Sequence, residues 1–211
     1  MGESLSVKVC GMREPQNISE IVSCRPDLIG FIFSRTSKRF VGDDFDPKIV
    51  KEIPATVRKV GVFVDSEIEA VQKTVGQYGL DMVQLHGHES TGYCGELKEL
   101  LSQVGIIKSF TIRDNFNWDE LKPYEPSVSL FLFDNGGGSG VRFNWKTLES
   151  YPLSTNFMLA GGISSYDTEE ILNLKSKNDY LFGVDINSRF ESSPAIKSCP
   201  QVKQFISEIK G

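Results

Sequence analysis

The chain has 211 residues, 39% of them hydrophobic, and carries 23 Lys and Arg against 28 Asp and Glu. That length and apolar content are enough for a sizeable core and exclude a chain that is mainly disordered. The net charge of −5 argues against binding nucleic acid or an anionic membrane by bulk charge, so an anionic small ligand would need a local device.

Short apolar runs rich in Val, Ile and Phe recur along the chain, with helical signals between them. The first run, Ser6–Cys10, is followed by Pro15–Ser23, where Ile18, Ile21 and Val22 recur at helical spacing. Leu28–Phe33 leads through a long basic loop to Asp46–Ile53, and Val57–Val64 leads to Ser66–Tyr78, with Ile68, Val71 and Val75 on one face. Met82–Leu85 precedes Glu89–Gln103, and Ile106–Phe110 precedes a weaker helical segment at Asn115–Lys122. Val128–Phe133, Asn156–Leu159 and Tyr180–Val184 alternate with Trp145–Tyr151, Asp167–Leu174 and Gln201–Ile209. Near-continuous apolar runs suit parallel strands buried on both faces. Eight strand–helix alternations at about 26 residues each predict an α/β fold, a single-domain (β/α)8 TIM barrel over residues 1–211. An open doubly wound sheet is the alternative, but it usually shows GxGxxG after its first strand, where Cys10-Gly11-Met12-Arg13 stands instead.

No apolar run approaches the ~20 residues of a membrane span. Met1 to Cys10 lacks the basic start and apolar stretch of a secretory signal, so a cytoplasmic protein is expected. The four cysteines form no CxxC pair and only His86 and His88 are available, which predicts neither a metal centre nor a disulfide framework. Cys24, Cys94 and Cys199 read as packing or surface residues.

A barrel places its chemistry at the C-terminal mouths of its strands. Cys10, Asp65, His86, Asp134 and Asp185 end apolar runs there. Alternation along a strand puts Lys8 with Cys10, Gln84 with His86 and Gly183 with Asp185 on shared faces, so one cup collects them if those faces point inward. Polar residues also end strands simply because loops are polar. Two glycine clusters carry more: Gly136-Gly137-Gly138-Ser139-Gly140 after the sixth run and Ala160-Gly161-Gly162-Ile163-Ser164 after the seventh. Backbone N–H groups in such loops approach an anion without an intervening Cβ, and barrels often bind phosphate at this end. Arg39, in the loop after the second run, is either part of a solvated charge run or a guanidinium fork for a substrate carboxylate.

Seven segments in order, Val7-Lys8-Val9-Cys10-Gly11, Gly30–Phe33 with Ser37–Val41, Val60–Val64, Val83–Gly87, Phe133–Gly140 with Phe143-Asn144-Trp145, Leu159–Gly162 and Gly183–Asp185, resemble the phosphoribosylanthranilate isomerases of tryptophan biosynthesis. The resemblance implies an Amadori rearrangement of N-(5-phospho-β-D-ribosyl)anthranilate to 1-(2-carboxyphenylamino)-1-deoxy-D-ribulose 5-phosphate without metal or organic cofactor. It implies Asp134 as general acid on the ring oxygen and Cys10 as general base at C2′. Such roles require a carboxyl that holds its proton near neutral pH and a thiol whose thiolate is favoured. Lys8, on the face of Cys10, is a source of the charge that would favour it. The resemblance further implies Arg39 for the anthranilate carboxylate, with His86 and Asp185 lining the pocket. Phosphate is implied at Gly138, Ser139, Gly161, Gly162, Ser188 and Arg189, with the Gly136–Gly140 loop covering the substrate. A monomer is the default expectation and a homodimer the alternative, with no nucleic-acid or membrane partner.

The chain departs from the family pattern after Asp185: Arg189 stands where Gly is common, which weakens a simple copy of the backbone phosphate cradle. Rival barrels fit less well. A synthase acting on the same product would rely on Lys and Glu at its strand ends, a metal-dependent epimerase needs more histidines, and a histidine-pathway isomerase would have Asp where Cys10 stands. A barrel that binds a phosphosugar without turning it over is the alternative outside catalysis.

Overall fold

The eight apolar runs become parallel strands because their Val, Ile, Leu and Phe side chains are covered on both faces, a condition met only when helices wrap the sheet. The computed structural model describes residues 4–113, 115–136 and 143–211. Among these, β1 (Ser6–Val9), β2 (Leu28–Ile32), β3 (Arg58–Phe63), β4 (Met82–Leu85), β5 (Gly105–Thr111), β6 (Leu130–Asp134), β7 (Phe157–Leu159) and β8 (Leu181–Ile186) form a closed barrel in sequence order. Closure comes from β1, which pairs with β2 on one side and β8 on the other, setting Lys8 opposite both Leu28 and Asp185.

Side-chain alternation divides each strand between two cores. Val7, Val9, Phe31, Leu85, Phe131, Phe133 and Val184 point outward into the large shell beneath the helices, whereas Leu28, Val60, Met82, Ile107, Leu130 and Met158 fill the barrel floor. Above that floor, on the inward faces of the same strands, sit the polar residues.

The covering helices are α1 (Pro15–Ser23), α2 (Pro47–Lys51), α3 (Ile68–Tyr78), α4 (Thr91–Leu100), α5 (Thr168–Lys177) and α6 (Cys199–Lys210). α3 ends at Gly79, whose φ of 64° supplies the left-handed stop. Two expected helices are 3-10 instead. Asn115–Lys122 gives short turns at Trp118–Glu120 and Lys122–Tyr124, and Trp145–Ser150 is also 3-10. Trp145, Leu148 and Tyr151 are all buried, and their spacing of three suits three residues per turn better than 3.6. A second feature was absent from the pattern: beyond β8 a short antiparallel hairpin, β9 (Glu191–Ser193) with β10 (Ile196–Lys197), precedes α6. No helix among the described residues is long and apolar enough to cross a membrane.

Candidate active site

At the C-terminal mouth of the barrel the inward residues line a cavity of about 670 Å³. Cys10, Arg39, His86, Asp134, Gly161, Gly162, Asp185, Ser188 and Arg189 all contribute, so residues spread over 180 positions converge on one cup. Gly138 and Ser139 lie outside the described residues.

A buried polar line runs across the floor of this cup. Lys8 is fully buried and its Nζ donates to Gln84 Oε1 at 2.7 Å and to Asp185 Oδ2 at 2.8 Å. An ammonium can only donate, so it obliges the Gln84 amide to present its oxygen and turns the NH2 group toward Ser109 Oγ at 3.3 Å and His86 Nδ1 at 3.2 Å. His86 Nδ1 is thereby an acceptor and its proton sits on Nε2, which faces Asp134 Oδ2 at 3.8 Å. Burial holds the His86 pKa below its ordinary value, with Asp134 opposing, so the ring is neutral at pH 7. Lys8 therefore sets a tautomer two residues away in the line.

Cys10 lies at the end of β1, buried, with its thiol packed where Gly30 leaves space: a Cβ at Gly30 would stand 2.8 Å from Sγ. Burial raises the thiol pKa above its ordinary value; Lys8 pulls it down, Asp185 pushes it up, and burial prevails. The expected preference for thiolate is thus not met in the ligand-free cup, because desolvation of the anion outweighs the ammonium beside it. Burial also works against the Lys8 ammonium, but Asp185 and Cys10 outweigh it and its pKa lies above the usual lysine value. Asp185 is raised by burial, with Lys8 opposing. Its Oδ1 is buried without a partner among the described residues, an acceptor left open toward the cavity it lines.

Arg39 is held in a way that its sequence position does not disclose. Its Nε and Nη2 donate to the two carboxylate oxygens of Glu191, each at 2.7 Å, and Lys197 Nζ donates to the same Glu191 at 2.6 Å and to Asn187 Oδ1 at 2.9 Å. Gly11, with φ 77°, makes room for this: a Cβ there would meet Arg39 Cδ at 2.6 Å. Two cations share one carboxylate, leaving one positive charge at the cavity wall, and the outer edge of the guanidinium keeps its Nη1 donors unused by Glu191. Strand-end reasoning missed Glu191 and Lys197 because they sit on the β9–β10 hairpin; a Glu and a Lys flanking the Pro194-Ala195 turn were the available signal.

Gly161 and Gly162 have φ of 87° and 73° and follow β7 after Ala160, so both hold a backbone conformation that favours glycine. Ser188 and Arg189 start the 3-10 turn after β8 and are exposed; Arg189 makes no ion pair among the described residues. The other histidine, His88, is outside the cup and pairs with Asp65 on the surface. Behind it, buried Lys108 donates to Glu89 at 2.9 Å, and Glu89 accepts from Gly87 and Asp65 backbone N–H groups, pinning the loop that follows His86. The described residues hold no cluster of three or more His, Cys, Asp or Glu suited to a metal ion.

The family model described as N-(5′-phosphoribosyl)anthranilate (PRA) isomerase matches residues 7–208. A curated protein of Parabacteroides distasonis named N-(5′-phosphoribosyl)anthranilate isomerase is 39% identical over 208 residues, covering 96% of this chain and 92% of its own. Among solved structures, phosphoribosyl anthranilate isomerase from Thermotoga maritima superposes with a TM-score of 0.83 at 27% identity, covering 98% of this chain and 99% of that one. A further isomerase of this name, in complex with reduced 1-(o-carboxyphenylamino)-1-deoxyribulose 5-phosphate, superposes with a TM-score of 0.78 at 25% identity, covering 98% and 99% of the two chains. With a closed barrel in sequence order and a polar cup at its mouth, this chain belongs to the phosphoribosylanthranilate isomerase family.

Proposed function

We propose that the chain catalyses the Amadori rearrangement of N-(5-phospho-β-D-ribosyl)anthranilate, with Asp134 as general acid and Cys10 as general base. Asp134 protonates the furanose ring oxygen as the anthranilate nitrogen pushes in its electrons; the C1′–O bond breaks and an iminium forms. The Cys10 thiolate then removes the C2′ proton, and the resulting enolamine becomes the ketone. The observation that carries this reading is the presence of a thiol and a carboxyl in one cup, just after β1 and at the end of β6, bridged in space by neutral His86 and the Lys8 line.

The proton count supports it. The reactive combination, thiolate with carboxylic acid, holds as many protons as thiol with carboxylate, so catalysis needs a proton moved between the two groups and no net uptake from solvent. The reaction itself leaves thiol and carboxylate, and the next turnover requires the reverse transfer. A thiol raised by burial is compatible with this, since a basic thiolate is the stronger proton acceptor once formed.

The ligand's three parts have matching walls. The Nη1 edge of Arg39 receives the anthranilate carboxylate while Glu191 holds the opposite edge, and Ile32, Val62 and Val64 offer the ring an apolar surface. Unpartnered Asp185 Oδ1 accepts a sugar hydroxyl. The phosphate lies on the Gly161-Gly162 amides with Arg189 supplying charge where a glycine is common in relatives. A small-molecule phosphosugar is the partner this reading assigns.

The test is turnover followed by the loss of substrate fluorescence. Cys10→Ser and Asp134→Asn should each lower kcat by at least about two orders of magnitude, the usual contribution of a positioned acid or base. Full activity in either removes that residue from the mechanism, and ligand binding without turnover by the wild type would favour a barrel that only binds.

A further inference from the structure

Of the three cysteines that the mechanism does not use, two meet outside the cup, between the first and last helices. Cys24 caps the end of α1 and Cys199 opens α6. They lie 175 positions apart, yet their Sγ atoms approach to 3.1 Å. Both sulfurs also sit over the Glu20 carbonyl, at 3.5 and 3.7 Å, so the two thiols share one small site between the first and last helices. A disulfide needs S–S of about 2.05 Å, so the two sulfurs stand roughly 1 Å from bonding distance. The surrounding backbone is held in place: Asn17 in α1 receives Lys197 N–H at 2.8 Å and donates to Lys197 O at 2.9 Å.

We propose that Cys24 and Cys199 form a thiol–disulfide exchange site that reacts with small-molecule disulfides to give an intramolecular bridge. Cys199 is partly exposed and Cys24 buried, which orders the chemistry. The Cys199 thiolate attacks one sulfur of the small disulfide and expels a thiolate; Cys24 then attacks Cys199 Sγ and expels the second. The protein gives up two electrons and two protons, and the small disulfide leaves as two thiols. Burial and the neighbouring Cys199 push the Cys24 thiol up to about 12, so Cys24 reacts second, through its proximity to the mixed disulfide. Cys94 is fully buried and Cys10 is 4% exposed, so Cys199 is the most exposed of the four thiols.

The bridge would tie α1, which follows the strand of Cys10, to α6, which follows the hairpin of Glu191. Closing so long a loop restricts the unfolded chain more than the folded one.

The experiment uses the full-length protein incubated with oxidised glutathione, then examined by intact mass, non-reducing peptide mapping and thermal melting. The expected result is a loss of two hydrogens, a Cys24–Cys199 cross-linked peptide and a Tm raised by at least about 5 °C, reversed by a dithiol. Cys24→Ser should stop at the glutathione adduct on Cys199, and Cys199→Ser should take up no glutathione at position 24. A stable adduct on Cys199 in the wild type, a bridge involving Cys10 or Cys94, or no reaction overturns the proposal. Activity is not the readout, so the outcome is separate from that of the isomerase assignment.

Discussion

At the level of single residues, the site depends on what Lys8 does to its neighbours. Its ammonium is the only full positive charge in the buried line of the cup formed with Gln84, His86 and Asp185, among the described residues, and it acts in two directions. It fixes the Gln84 amide and, through it, the His86 tautomer; it also stabilises negative charge on Cys10 against a burial that pushes the thiol upward. In the proposed scheme the active enzyme has lost one of the two protons held by the pair, so kcat/KM falls on the alkaline side as the second is lost. Because the Cys10 pKa is raised, that limb should lie above the ~8.5 of a free thiol. Lys8→Met removes the ammonium charge that lowers it, so the limb should move to higher pH as turnover falls, with thiol reactivity against pH shifting in parallel. An unchanged limb in a folded Lys8→Met protein would remove Lys8 from the control of Cys10. Asp185→Asn in the same background relieves the carboxylate left unpaired and keeps the test readable if Lys8→Met alone is unstable.

Between elements, the β9–β10 hairpin is the part that strand-by-strand reading could not supply. It brings Glu191 to Arg39 across 152 positions and shares that carboxylate with Lys197. Burial opposes the Glu191 charge, but Arg39 and Lys197 outweigh it and hold its pKa below the ordinary value. A depressed carboxylate contributes stability that is fully present above the unfolded pKa near ~4.3 and is lost as pH falls through the lower folded value. Glu191→Gln should therefore cost about 1–2 kcal/mol at neutral pH, discounted for the solvent that reaches the cavity wall. The gap to wild type should close on acidification below about pH 4.5. If Glu191 orients Arg39 for a carboxylate, KM should rise about tenfold with little change in kcat, the signature of lost uniform binding. A fall in Tm with KM unchanged would assign Glu191 to the fold alone.

For the molecule as a whole, the last helix packs beside α1 and α5 on the outer shell of the closed barrel. α6 buries Val202, Phe205, Ile206 and Ile209 against the shell, and Phe205 meets Phe190 with ring centroids 4.9 Å apart. At about 1.5–3 kcal/mol for each such side chain, removing α6 forfeits an amount comparable to the ~5–15 kcal/mol that holds a whole domain together. A chain ending before Cys199 should show no cooperative thermal transition; a cooperative melt near the wild-type Tm would show that the fold does not depend on α6.

What the sequence determined unaided was periodic and local. Eight apolar runs specified eight parallel strands, since a run buried on both faces has few other solutions, and strand alternation already grouped Lys8 with Cys10 and Gln84 with His86. The motifs around Cys10, Asp134 and Gly161-Gly162 specified the family for the same reason: each is a short contiguous string at a strand end. Only the tertiary structure decided which groups share a charge. Arg39 with Glu191, Lys8 with Asp185, and Cys24 with Cys199 are separated by 152, 177 and 175 positions. No periodicity encodes such pairs, because they arise when closure sets β1 beside β8 and α1 beside α6. Desolvation is likewise a property of the closed cup, and for that reason the thiol that the motif marked as a base is, before ligand enters, held in its protonated form.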